Sequence, residues 1–201
     1  MASLPKIMIT GSDDALKINQ TDFPVLIHGA DGSGASLFSV ALIAGLVRSG
    51  KRIVFFTAFP MAREELMAQL TADTDLIIVK SIDQIASAAN HQVIIVKSGD
   101  TKLFTNILER LNDLDERTVF VKNIEILLTA EIYQLLRDRL LIILSDDLDK
   151  VEFGDQLTRQ NFSLKVLFSE SKTDLGVKLP RLPQYAGFMT GTQTGIVKLQ
   201  S

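Results

Sequence analysis

The sequence predicts an α/β fold on a mostly parallel sheet, and three observations carry that expectation. Short apolar runs such as Arg52–Thr57, Gln92–Lys97 and Leu140–Leu144 alternate with stretches of helical patterning, as strands joined by crossover helices do. A glycine-rich loop, Gly29–Ser36 (GADGSGAS), leaves the apolar run Val25–His28 and opens the apolar run Leu37–Val47. The tail, Ala186–Leu199, reads as a hairpin around Gly191 and Gly195.

The elements follow in order. Lys6–Thr10 and Leu16–Ile18 predict a small N-terminal hairpin turned at Gly11–Asp14. Pro24–His28 is the strand before the glycine loop. The helix that starts at Ala35 stops at Gly50, because glycine takes the left-handed conformation that closes a helix. Arg52–Thr57 is the next strand, and Met61–Leu70 an amphipathic helix with Pro60 near its first turn. Asp75–Lys80 is a strand, Asp83–Ala89 a short helix and Gln92–Lys97 a strand. Lys102–Leu114 is a helix with Leu103, Ile107, Leu108 and Leu111 on one face. Thr118–Val121 is a strand, Ala130–Arg139 a helix, and Leu140–Leu144 and Leu164–Phe168 are buried strands. Pro180–Pro183 is a rigid approach to the final hairpin. The expected organisation is one domain: an N-terminal hairpin over 1–23, an α/β core over 24–179 and a C-terminal hairpin over 180–201.

Composition narrows the function classes. The 201 residues are 46% apolar and 22% charged with a formal charge of −3, so no global basic excess points to non-specific nucleic-acid binding. The absence of cysteine excludes a disulfide framework and thiolate metal sites. His28 and His91, the only histidines, cannot form a His-rich metal cluster and read as structural. No signal peptide is visible, and the longest apolar stretch, Ala35–Val47, is too short to span a bilayer. The expected setting is cytoplasmic, with no membrane.

The loop carries the chemistry. A phosphate-binding P-loop reads G-x-x-x-x-G-K-S/T between a strand and a helix. Gly29, Gly34 and Ser36 stand at the required places, Gly32 and Ser33 fill the interior, and Ala35 holds the lysine position. The backbone can still form an anion-cradling nest at a helix N-terminus, but the charge that grips the terminal phosphates is missing. Three strands also end in similar words, LIIVKS, VIIVKSGD and VFVKN, which put Lys80, Lys97 and Lys122 just past an apolar run. Ligands bind outside the carboxyl ends of such strands, so these lysines read either as an anion-attracting cluster or as ordinary polar strand ends.

The order of elements resembles the RecA-like core of the FtsK/HerA clan of DNA-pumping and conjugative ATPases. IMITGSDDALKINQTDFPVLIHG is similar to the clan's lead-in to the P-loop, KRIVFFTAF to its second core strand and RTVFVKNIEIL to its Walker B strand. LLIILSDD is similar to the strand that carries a polar sensor, GDQLTRQNFSLKVLFSESKTD to the element after it, and LPQYAGFMTGTQTGIVKL to the terminal hairpin. The resemblance runs nearly the whole chain. It implies a three-layer RecA-like P-loop NTPase fold with flanking N- and C-terminal hairpins.

The departures from that family are concentrated at the chemistry. Ala35 replaces the Walker A lysine, the metal-associated Walker B aspartate falls on Lys122, the water-orienting glutamate falls on Asn123, and the sensor falls near Ser145–Asp147. Phosphoryl transfer rests on positioning and charge neutralisation. Each loss removes stabilisation on the order of an oxyanion donor, roughly 3 kcal/mol. Glu125, two residues along, offers a displaced carboxylate, and Asp146, Asp147 and Asp149 form an acidic cluster that reads as a cation site or a solvated loop. A cation leaves the loop at Ala35 and one arises at Lys122, on a strand expected beside it. The expected ligand is therefore ATP or another phosphate-bearing molecule, without Mg²⁺, seated on Gly29, Gly32, Ser33, Gly34, Ala35 and Ser36 with Lys122 and Asn123.

Three functions compete at this stage. The first is a catalytically inactive nucleotide- or anion-binding subunit with an assembly or regulatory role, forming a homo-oligomer or a hetero-oligomer with a RecA-like ATPase. The second is a divergent ATPase of DNA translocation or conjugation. The third is a DNA-binding module using Lys97, Lys102, Arg159, Lys165, Lys172, Lys178 and Arg181, with acids interspersed and no tryptophan to stack on bases.

Overall fold

The computed structural model describes residues 6–9, 16–111, 114–122, 132, 135–136, 139–147, 162–169 and 178–200. Among the described residues ten strands form one sheet: β1 (Lys6–Ile9), β2 (Val25–His28), β3 (Arg52–Thr57), β4 (Leu76–Val79), β5 (Val93–Val96), β6 (Arg117–Lys122), β7 (Leu140–Ser145), β8 (Leu164–Leu167), β9 (Ala186–Gly191) and β10 (Gly195–Gln200). Their spatial order is β1-β10-β9-β8-β2-β7-β6-β3-β5-β4. The block from β8 to β4 is parallel. The edge β8-β9-β10-β1 is antiparallel.

The parallel strands are apolar on both faces because both faces are covered. Side chains alternate across each strand, and the alternation sorts the core into two clusters. Val25, Ile27, Phe55, Phe120 and Ile142 point to the face covered by α1 (Ala35–Arg48) and α2 (Pro60–Gln69). Leu26, Val54, Phe56, Val119 and Val121 point to the face covered by α3 (Ile85–Ala88) and α4 (Thr101–Arg110). Phe55 stacks on Phe120 in the first cluster and Phe56 on Phe104 in the second. This is a three-layer α/β/α fold.

Local chemistry explains where the helices stop. Gly50 has φ +85°, its N–H donates to Val47 O, and the Lys51 N–H donates to Leu46 O. That paired closure is the Schellman arrangement expected of a glycine past the helix end. α4 begins on the Asp100 side chain, which accepts from the Leu103 N–H at 2.9 Å. It ends at Arg110 rather than Leu114, because Leu111 is extended and Leu114–Glu116 forms a separate 3₁₀ turn.

Two further expectations shift. Leu16–Ile18 is not a strand: Leu16 donates one hydrogen bond to Ile7 O, and the strand partner of β1 is β10. β6 does not lie beside the phosphate-loop strand β2 either, since β7 stands between them. The helix expected over Ala130–Arg139 falls largely outside the described residues.

Candidate phosphate site

The loop Gly29–Ser36 sits at the carboxyl end of β2 and is fixed from several sides. Gly32 and Gly34 have φ +78° and +97°, the left-handed values that let successive backbone N–H groups turn toward one point. The Ser33 N–H donates to Ala30 O at 3.0 Å, and the Ala30 N–H donates to Ser169 Oγ at 2.9 Å. At Gly29 there is no room for a side chain: a Cβ there would lie 2.8 Å from both the Ala35 and Phe168 methylene or methyl carbons. Gly34 caps α1, so the first-turn N–H groups have no acceptor inside the helix.

The base of the loop is tied to β7. The His28 ring Nδ1–H donates to Ser145 O at 3.1 Å, and the Gly29 N–H reaches the same carbonyl at 3.3 Å. A carbonyl can only accept, which fixes the proton on Nδ1. His28 is buried and structural, as its position beside an apolar strand suggests. His91 lies far from the loop and pairs with Asp75 at 2.6 Å.

Lys122 enters from β6. Phe120 points toward α1, so period-two alternation sends Lys122 to the same face, in register with Thr57 and Leu144. α1 packs across β2, β7 and β3, which carries its first turn over the end of β6. The Lys122 Nζ donates to Ser36 Oγ at 2.6 Å and to Glu65 Oε2 at 3.0 Å. The Lys122 side chain is 10% exposed and that of Glu65 51%. Ala35, by contrast, is buried with its methyl against Gly29 and brings no charge to the loop.

These residues enclose a small cavity of about 80 Å³ whose walls include Gly29, Gly32, Ala35, Ser36, Lys122 and Asp146. It is well below the ~300 Å³ at which ligand clefts usually begin. The Lys122–Ser36 contact closes part of it. A larger space of about 510 Å³ lies behind α1, between Ala41, Leu42, Leu46 and the segment Leu16–Gln20, and shares no wall with the loop. The smaller one is the candidate site, because among the described residues the left-handed glycines and the buried cation meet there.

The fit of Mg²⁺ can be judged from Ser36. A magnesium ion sits about 2.1 Å from its oxygen ligands. An ammonium 2.6 Å from the Ser36 hydroxyl occupies that approach. At ~4 Å and an effective dielectric of 20, its repulsion of a divalent ion is roughly 8 kcal/mol. Among the described residues no group of three or more His, Asp or Glu side chains converges as a metal site. Lys122 suits an anion and opposes Mg²⁺ at Ser36 while it holds this position, and Asp31 and Asp146 are the carboxylates on the same cavity wall.

The remaining sequence-predicted residues scatter. Lys80 and Lys97 are exposed at the ends of β4 and β5 and do not line the cavity. Asp146 lines it from the end of β7. Asn123, Glu125, Asp149, Arg159 and Lys172 lie outside the described residues. Lys97, just past β5, and Lys165, in β8, lie on strands five spacings or about 24 Å apart, which disperses a basic face built on both. Sequence reasoning missed Glu65, the carboxylate that holds Lys122. Its only signal was its place on a helix following a strand that ends near the loop.

No protein-family model and no curated protein matches the chain. Solved structures do. The genome packaging NTPase B204 from Sulfolobus turreted icosahedral virus 2, in complex with ATP-gammaS, aligns with a TM-score of 0.63 at 12% identity, covering 91% of this chain and 98% of that one. The same protein in complex with AMP aligns with a TM-score of 0.63 at 13% identity, over 91% and 98%. VirB4 of Thermoanaerobacter pseudethanolicus aligns with a TM-score of 0.62 at 12% identity, covering 98% of this chain and 96% of that one. The chain has the fold of the FtsK/HerA-type P-loop ATPases. No described helix is long and apolar enough to cross a membrane.

Proposed function

We propose that this chain is a nucleotide-binding, non-hydrolysing P-loop domain in which Lys122 takes over the phosphate-gripping role that Ala35 cannot perform. The observation that carries the reading is the Lys122 ammonium 2.6 Å from Ser36 Oγ, at the first turn of α1. A polyphosphate on the loop replaces Ser36 and Glu65 as its partner. The nucleotides bound by the B204 structures support ATP as the ligand class. Such a domain would act as an assembly or regulatory subunit. Leu37, Phe59 and Met61, exposed by 53%, 45% and 71% beside the site, suit self-association or contact with a related ATPase.

Calorimetric titration with ATP, with and without Mg²⁺, tests this. Binding is expected without Mg²⁺ and is expected to weaken at least tenfold in Lys122→Ala. Absence of binding in the wild type, or unchanged binding in the variant, overturns it. Light scattering with and without ATP tests the assembly role.

A second reading, a divergent ATPase acting on DNA, is favoured by Glu65 and Asp146, two carboxylates at the site. DNA-stimulated phosphate release that Ser36→Ala abolishes would establish it over the first.

A further inference from the structure

Tyr185 stands on the other side of the loop from Lys122. β9, which it precedes, is two strands from β2 in one direction, and β6 is two strands away in the other. Tyr185 is the single non-glycine residue with positive φ among the described residues, at +59°. It occupies the third position of a turn closed by the Ala186 N–H donating to Pro183 O at 3.2 Å. Glycine or asparagine is the usual residue there, because a Cβ strains the left-handed backbone. A tyrosine in that place costs stability that a glycine would not.

The strained backbone delivers the ring to the phosphate loop. A Cβ built on Gly34 would lie 3.3 Å from the Tyr185 Cα, Cβ and Cδ1, so the residue packs directly against the glycine that caps α1. Yet the side chain is not buried in the core: Tyr185 is 56% exposed. A large aromatic surface, held in a costly conformation and left open beside an anion-binding nest, has the properties of a stacking platform.

We propose that Tyr185 seats the base of the bound nucleotide, so that the ligand lies across the loop with its base on the β9 side and its terminal phosphate toward Lys122. The ligand is then a nucleoside polyphosphate rather than an inorganic one. This rests on the phosphate-loop reading above and adds to it a second contact point and a direction.

The test compares ATP with inorganic tripolyphosphate on the wild type, Tyr185→Gly and Tyr185→Phe, by calorimetry alongside thermal unfolding. Wild type is expected to favour ATP over tripolyphosphate by roughly ten- to a hundredfold. Tyr185→Gly is expected to lose that preference, keep its tripolyphosphate affinity and unfold at the same or a higher temperature. Tyr185→Phe keeps the preference. Equal affinity for the two ligands in wild type, with binding retained, overturns the base platform and spares the phosphate loop. A preference that survives Tyr185→Gly also overturns the platform. Binding of neither ligand by wild type overturns both readings. If Tyr185→Gly loses both ligands, Tyr185→Leu decides, because it keeps bulk against Gly34 without an aromatic face: loss of ATP preference alone supports the platform, and a retained preference removes it.

Discussion

β6 carries a buried cation at each end, and the two are held in opposite ways. Arg117, at the start, is fully buried and donates to Ala89 O at 2.9 Å and Gln92 O at 3.3 Å. Arg52, its register partner on β3, donates to the same Ala89 carbonyl. These acceptors are backbone atoms in the turn between α3 and β5, and they cannot leave. Lys122, at the far end, is held by a hydroxyl and by a carboxylate on a half-exposed side chain. Those acceptors can swing away. The first cation is part of the fold, and under the proposed function the second is a charge kept in place until a better anion arrives.

The largest effect should fall on Arg117. Arg117→Met removes two hydrogen bonds made by a charged, fully buried donor, each contributing about 1.5–3 kcal/mol, while Ala89 O keeps Arg52 and Gln92 O keeps the Ile53 N–H. Denaturant titration should show the midpoint falling by the equivalent of roughly 3 kcal/mol. Affinity for ATP, measured where the variant is folded, should not change. A stability loss under about 1 kcal/mol would make Arg117 as exchangeable as Lys122 and dissolve the contrast.

The sequence made one of these cations visible and hid the other. Lys122 could be found because it falls at a motif position and because strand alternation fixes its face. Arg117 reads as an ordinary polar residue before the apolar run Thr118–Val121. Its burial is produced by the α3–β5 turn folding over the sheet bottom, a contact between segments some 25 residues apart. Glu65 was hidden for a similar reason: the helix was legible, but its aim depends on how α2 packs beside α1. Tyr185 was hidden because only its backbone angle separates it from any turn residue. Of the similar words around Lys80, Lys97 and Lys122, both readings stood open in the sequence, and only Lys122 lines the candidate cavity, because strand order sets the others apart. The fold is written in local patterns of apolar residues, while the site depends on which distant segments meet.

Lys122→Ala should invert the pattern of Arg117→Met. A pair with a half-exposed carboxylate contributes about 0.2–1 kcal/mol, so stability should move little. A hydrogen bond to a charged ligand contributes about 1.5–3 kcal/mol, so ATP affinity should fall roughly ten- to a hundredfold. The same deficit should appear as lost ligand protection. At a hundred times its Kd, ATP should stabilise the wild type by about 2.7 kcal/mol, and the same ATP concentration should stabilise the variant far less. Thermal unfolding at fixed ATP reads this directly. A variant that is badly destabilised yet binds normally would make Lys122 a second Arg117.

The smallest effect, and the one that separates release from simple attraction, belongs to Glu65. In the unliganded arrangement Glu65 competes with any phosphate for the Lys122 ammonium, because both are anions seeking the same donor. Glu65→Gln keeps the size and the acceptor oxygen but removes the negative charge. Lys122 then loses a surface-type ion pair of about 0.2–1 kcal/mol, and ATP no longer has to displace it. Affinity without Mg²⁺ should rise by a factor of about 1.5 to 5, the range those energies convert to. The gain should vanish in Glu65→Gln combined with Lys122→Ala, since the carboxylate acts through that lysine. A gain of equal size in both backgrounds would mean that Glu65 repels phosphate directly through space, and that Lys122 is not held in reserve by it.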